Sequence, residues 1–299
     1  MSLSIAEYIS YYSLKLISIL IRLLPKRVSN IFGYSLGFLI YLTFPIRKNV
    51  AKLNLRIAFP EKSESEINKI LKKCYIHFGF VLIDFFRIKK INHTNFKDYI
   101  KINSNSMSLL NNSNGGIIVT GHIGNWEMMF PILGLSKIPL SVVVQSQKNK
   151  GVQKFFKELR EYHGNKTLLK GVAIEVLMSE LENKIFLGLA SDQNAGKKGY
   201  KVSFFGLDTS VPKGAALFNI KLKIPIYLLY CVIEKNKKYK LYVKELETVN
   251  SKNGLKYDVG KICKFIVRDL ETIIRKYPEQ YFWFHRKWPK GIYKNNNYE

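Results

Sequence analysis

Acidic side chains are scarce in this chain: 22 Asp and Glu stand against 48 Lys and Arg, a formal charge of +26 over 299 residues. A surplus of that size requires something acidic nearby, whether nucleic acid, an anionic membrane face, or an acidic protein or phosphorylated substrate. Most of the positive residues are Lys, in a chain also rich in Asn and Ile, so part of the surplus is read as codon bias. Cysteine is nearly missing as well. Cys74, Cys231 and Cys263 are odd in number, far apart and set among apolar neighbours, which excludes a disulfide framework and a Cys-rich zinc site and points to buried thiols in a reducing compartment. The five histidines are scattered, without the spacing of a metal site. There is no G-x-S-x-G nucleophile elbow, no P-loop and no dinucleotide glycine fingerprint after a strand. No metal and no cofactor are therefore expected. With only 9 Pro and 19 Gly against 47% apolar residues, the chain buries a large core and is not a disordered polycation.

Long apolar runs are confined to the amino terminus. Residues 9–24 carry Lys15 and Arg22 seven apart, on one helix face with Ser18, which predicts an amphipathic helix. Residues 28–45 hold no charge and are bracketed by Lys26 and Arg27 before and by Arg47 and Lys48 after. A membrane crossing needs about 20 apolar residues, and Asn30 and Pro45 shorten this run further. The pattern predicts a membrane-anchoring helical segment over residues 1–48, lying in or dipping into an anionic leaflet. Whether 28–45 spans is left open, and two core helices of a soluble domain are the alternative. A cleaved signal peptide is not expected, because no basic region precedes the first apolar run.

The remainder reads as one α/β domain over residues 49–293, followed by a polar tail at 294–299. Helix periodicity marks residues 50–95, with Phe59-Pro60 as a loop and Ser63 as an N-cap. From 115 onward, β-rich runs at 116–120, 141–145, 184–190 and 224–234 alternate with helical runs near 127–136, 149–163, 171–183, 212–222 and 257–276. Strands alternating with helices indicate a central mixed sheet flanked by helices.

The sharpest motif is Thr120-Gly121-His122-Ile123-Gly124-Asn125-Trp126-Glu127, which leaves a buried strand and enters a helical run. Ligands of open α/β sheets bind at that edge. An imidazole is suited to taking a proton from a hydroxyl near neutrality, and a carboxylate on its other nitrogen would fix the tautomer. Glu127 lies five residues on, and a regular helix would turn it about 140° away. The pair meets only if the intervening residues turn, which Gly121 and Gly124 permit. A second polar group, Ser191-Asp192-Gln193-Asn194, follows the 184–190 strand, and Lys213 stands near a helix start where a phosphate or carbonyl could be met. Arg160, in FKELREYHG, is a third candidate.

Taken together these residues resemble the lipid A biosynthesis acyltransferases, the lauroyl and myristoyl transferases of the lysophospholipid acyltransferase superfamily. The resemblance rests on the apolar amino terminus, RKNVAKLNLRIAFP at 47–60, G-H-x-G-N-W-E at 121–127, Arg160 ahead of a Gly, Asp192-Gln193, Phe204-Phe205-Gly206, Pro212-Lys213-Gly214-Ala215 and YFWFHRKW at 281–288. Ile123 stands where members often have Phe. The resemblance implies an acyl carrier protein or acyl-CoA thioester donor, a hydroxyl acceptor on a glycolipid, His122 as general base with Glu127 as its partner, and a place at the cytoplasmic face of a bacterial inner membrane. For the oxyanion, Arg160 and backbone amides are the expected donors. Asp192 and Gln193 are expected to hold Arg160 or the acceptor head group, and Asn125 and Lys213 to meet the oxyanion or the substrate. A phospholipid, or another glycolipid such as a phosphoinositol mannoside, is the alternative acceptor. A basic membrane or nucleic-acid binding protein is disfavoured, because the charge is spread along the chain and the aromatics sit in apolar runs. No nucleic-acid partner is expected.

Overall fold

Apolar runs of five to eight residues bounded by polar turns become strands here because helices cover both faces of the sheet they form. The computed structural model describes residues 3–101, 104–234, 238–247 and 254–294. Its strands are β1 (Ile100–Lys101), β2 (Gly116–Thr120), β3 (Leu140–Val144), β4 (Lys166–Leu169), β5 (Phe186–Ala190), β6 (Tyr200–Phe204), β7 (Leu207–Val211), β8 (Ile226–Ile233) and β9 (Tyr239–Glu245). The α-helices are α1 (Ile5–Leu23), α2 (Lys26–Thr43), α3 (Lys48–Ala58), α4 (Glu64–Phe86), α5 (Phe96–Tyr99), α6 (Ser104–Asn111), α7 (Met129–Leu135), α8 (Lys150–Arg160), α9 (Ile174–Glu182), α10 (Gly214–Leu222), α11 (Leu255–Lys276) and α12 (Lys290–Lys294).

Seven strands form one mixed sheet in the order β1-β9-β8-β2-β5-β3-β4. Its pairings are parallel except between β8 and β9. Alternation across the strands divides the core: Ile117, Val119, Leu228 and Tyr230 join one buried cluster, and Ile118, Leu229 and Cys231 join the other. All three cysteines are buried and unpaired. β6 and β7 form a separate antiparallel hairpin. Sequence reading did not mark this hairpin, the short edge strands β1 and β4, or β9, whose YKLYVKE alternates in burial as a half-covered strand does.

α2 is built inside out, and α1 partly so, since it also buries Tyr11 and Ile21. Ser18, Ser29, Gly33 and Gly37 are buried, whereas Ile9, Leu16, Leu20, Ile31, Phe32, Leu39 and Leu42 are exposed. Ser18 donates to the carbonyl of Phe86 at 2.7 Å. A Cβ on Gly37 would strike the carbonyl oxygen of Tyr75, and one on Gly79 that of Gly33, so α2 and α4 meet backbone to backbone through small residues. The expected apolar segment is thus a helix pair, and no single helix among the described residues is long and apolar enough to cross a membrane. α2 and α3 are long and apolar enough only when taken together, and they are bent by 98° at the break after Thr43.

Candidate active site

The site is assembled at the carboxyl edge of the sheet by two neighbouring strands. β2 and β5 run parallel with Thr120 opposite Ala190, so the second residue past each strand leaves at the same level. Those residues are His122 and Asp192. Nδ1 of His122 donates to Oδ1 of Asp192 at 2.8 Å, which fixes the proton on that nitrogen and leaves Nε2 as the acceptor. Gly121 makes the approach possible, since a Cβ there would press on Leu270 and on the Asp192 side chain at 2.9 and 3.2 Å.

Asp192 is buried, and its second oxygen accepts from Nζ of Lys287 at 3.0 Å. Lys287 is itself buried and lies over the Tyr281 ring, 4.3 Å from its centroid. Burial alone would raise the Asp192 carboxyl, but the charge of Lys287 and then that of His122 outweigh it and hold the group well below the usual carboxylate range. His122, Asp192 and Lys287 thus form a line of imidazole, carboxylate and ammonium, with only the imidazole reaching the surface: its side chain is 22% exposed, Asp192's is 0% and Lys287's 1%.

This corrects the expected partner of His122. After Asn125 the chain makes a short 3-10 turn, Trp126–Met128, which directs Glu127 into the protein. There its carboxylate accepts from Nε and Nη2 of Arg160 at 2.9 and 2.6 Å, and from Nε1 of Trp126 at 3.1 Å. The Arg160 guanidinium lies near the rings of Phe85, Phe130 and Phe156. Glu127 therefore reaches His122 only through Trp126, whose ring meets the imidazole edge-on with centroids 4.9 Å apart. Arg160 is held by Glu127 and not by Asp192 or Gln193.

The remaining expected site residues separate. Gln193 donates its amide N–H to Nε2 of His285 at 3.1 Å, and the His285 ring stands 5.8 Å from that of His122. Asn125 is fully buried: its backbone N–H donates to Cys231 at 2.7 Å and its amide to the Tyr239 hydroxyl at 2.9 Å. It supports the loop from beneath. Lys213 is exposed at the start of α10 and shares no hydrogen bond or ion pair with the His122 group among the described residues. Its charge instead acts on Cys263.

The sequence pattern of one family, bacterial lipid A biosynthesis acyltransferase, matches residues 2–290. This chain belongs to that family, and it is an acyltransferase. It is 20% identical over 270 residues to a lipid A biosynthesis palmitoleoyltransferase of Escherichia coli (strain K12), covering 88% of this chain and 86% of that protein. The same figures hold for a lipid A biosynthesis acyltransferase of Shigella flexneri. It is also 25% identical over 185 residues to a phosphatidylinositol mannoside acyltransferase of Mycolicibacterium smegmatis, covering 60% of this chain and 59% of that protein.

In this acyltransferase the segments at 47–60 and 281–288 are parts of one structure. Asn54 of α3 is buried and donates to the carbonyls of Trp283 and His285 at 2.6 and 2.7 Å, while accepting from the Tyr293 hydroxyl at 2.8 Å. The carboxyl-terminal segment is then stitched to the His122 loop: Phe282 N–H donates to the His122 carbonyl and Gly124 N–H to that of Gln280, both at 2.8 Å. Sequence reading had these segments as marks of resemblance and missed the roles of Lys287, His285 and Trp126. A Lys beside Arg286 and Trp288 in a basic chain carries no local signal. Its function comes from the carboxylate it meets 95 residues away.

Proposed function

We propose that this acyltransferase moves a fatty acyl chain from a thioester donor, on acyl carrier protein or CoA, to a hydroxyl of a lipid A precursor. The observation that carries the reading is the His122–Asp192–Lys287 line at the sheet edge. Nε2 of His122 takes the acceptor's hydroxyl proton as the oxygen attacks the thioester carbonyl. The tetrahedral intermediate collapses, the C–S bond breaks, and the leaving thiolate takes the proton back from the imidazolium. Asp192 holds the tautomer and stabilises the transient positive ring, as the carboxylate of a hydrolase triad does. Lys287 keeps that buried carboxylate ionised. Glu127 and Arg160 act one step removed, as a buried fork pair that fixes Trp126 against the ring. The reaction forms no covalent acyl-enzyme.

The exposed apolar faces of α1 and α2 support placing the amino-terminal segment on a membrane. A soluble surface rarely carries so many large apolar side chains together, and small residues packed inward with large ones outward is the arrangement of helices solvated by lipid. The surplus of Lys and Arg supports an anionic leaflet, and the cytoplasmic face of a bacterial inner membrane is the proposed location. Similarity to the phosphatidylinositol mannoside acyltransferase favours one alternative acceptor, a phosphoinositol glycolipid. The decisive assay offers acyl carrier protein and CoA donors to tetra-acylated and penta-acylated lipid A precursors and to a phosphoinositol mannoside, with products read by mass spectrometry. An acylated lipid A product is expected. Transfer to the mannoside alone would move the assignment to the second acceptor, and transfer to neither would sink both.

A further inference from the structure

A cavity of about 760 Å³ opens beside the proposed site between the turn that starts α3 and the segments at 193–194 and 285–286. Its volume is within the ~300–1,000 Å³ usual for ligand pockets. His285 is one wall of it and also the neighbour of His122, so a single ring stands between the cavity and the proposed reaction centre. Arg47, Lys48 and Arg286 line it, and no carboxylate does. Asp192, the adjacent acid, is turned away onto His122 and Lys287.

The three cations are placed without being neutralised. Arg47 has φ +53°, a left-handed conformation that costs a residue with a Cβ about 1–3 kcal/mol. Its Nη1 donates to the Phe284 carbonyl at 3.2 Å. Lys48 stands over the Tyr41 ring and Arg286 over the Tyr293 ring. Among the described residues none of the three forms an ion pair. By contrast, Lys52 and Arg56, further along α3, both pair with Glu64. Uncompensated charge of one sign in a concave wall focuses the field on whatever enters, and guanidinium forks match phosphate oxygens. Pro45 also lines it, and its sequence neighbours Phe44 and Ile46 are exposed apolar residues, 78% and 65% accessible.

We propose that this cavity is a phosphate-ester site, with Arg47, Lys48 and Arg286 holding the phosphate beside His122. Two substrates of the reaction proposed above carry such a group: a phosphorylated glycolipid acceptor, and the phosphopantetheine arm of a carrier-protein or CoA donor. That assignment of source rests on the acyl-transfer reading; the phosphate site itself does not.

The first test is binding. Inorganic phosphate is titrated into the detergent-solubilised full chain and followed by ³¹P line broadening. Saturable broadening that chloride at equal ionic strength does not remove is expected, weakened about tenfold or more in Arg47→Gln/Arg286→Gln. Equal binding by the variant, or none by the wild type, overturns the site. Should the double variant not fold, Lys48→Gln serves in its place. The second test is transfer, comparing a phosphorylated glycolipid with its phosphatase-treated counterpart. If the acceptor supplies the phosphate, the variant narrows the wild-type preference for the phosphorylated form about tenfold, through KM. If the donor supplies it, the donor KM rises instead. No change in either KM overturns the site's part in the reaction. Phosphate binding by a wild type that transfers no acyl group would leave the site standing and sink the acyl-transfer reading.

Discussion

At the residue scale, the central fact is a carboxylate whose charge is maintained from behind. A buried carboxyl left alone favours its neutral form, and Asp192 escapes this because Lys287 lies 3.0 Å from its second oxygen. Asp192→Asn keeps the shape but no longer favours the Nδ1-protonated tautomer, so kcat is expected to fall about 10³- to 10⁴-fold, measured with saturating donor and acceptor. Lys287→Met has a subtler signature. It removes the charge that opposes burial, so the Asp192 carboxyl rises and the acidic limb of kcat/KM against pH moves upward, while Lys287→Arg restores the limb toward its original position. An unmoved limb in Lys287→Met would show that the lysine serves packing only. Glu127 differs, since it faces Arg160. Glu127→Ala strands a buried guanidinium and frees Trp126, and Glu127→Gln, which still accepts from Trp126, is expected to retain more activity. Equal losses in the two would argue against the Trp126 route. The residues of this site were legible as types in the sequence, His122 and Asp192 both included. Their pairing was not, because the motif's own Glu127 stood closer along the chain and strand adjacency has no local signature.

At the element scale, the loop after β2 is fixed by packing from several directions. Gly124 has φ +64°, and a Cβ there would strike the Cys231 carbonyl. Gly124→Ala is therefore expected to cost about 3 kcal/mol, visible as a lowered urea midpoint together with lost activity. From α4, His77 donates Nε2–H to the Gly124 carbonyl at 2.9 Å. Burial lowers its pKa from 6.5 to about 4. The folded state thus refuses a proton that the unfolded chain accepts. The stability this group contributes is fully present above pH 6.5 and is lost as pH falls toward 4, by up to about 3 kcal/mol. The difference in urea midpoint between the wild type and His77→Gln should narrow over that window, and a constant difference would contradict the assignment. Most elements were legible because their periods are strong: β2, β5, β8 and α11 lie within two residues of their expected bounds. The hairpin β6–β7 and the strand β9 were not, because short or polar strands take their identity from the partner they pair with.

At the scale of the whole molecule, the link between α2 and α3 connects the amino terminus to the proposed site, since Pro45, Arg47 and Lys48 line the same cavity as His285. Ile31→Glu/Leu39→Glu changes two exposed side chains, 66% and 56% accessible, and is expected to reduce flotation with anionic phosphatidylglycerol vesicles while leaving the thermal midpoint nearly unchanged. Raised salt should weaken the wild type's flotation too, since the Debye length is about 10 Å at 0.1 M and 3 Å at 1 M. Undiminished flotation of the variant would show that these helices do not carry the contact. The sequence by itself determined the alternation of strands and helices, the buried thiols and the family, because each is written in local period, composition or ordered motif. Tertiary structure alone decided that α1 and α2 leave most of their large apolar side chains facing outward, that Asp192 and not Glu127 holds His122, and that Lys287 stands behind it. Those outcomes depend on which surfaces and strands become neighbours, and that is settled by long-range packing, which no single segment encodes.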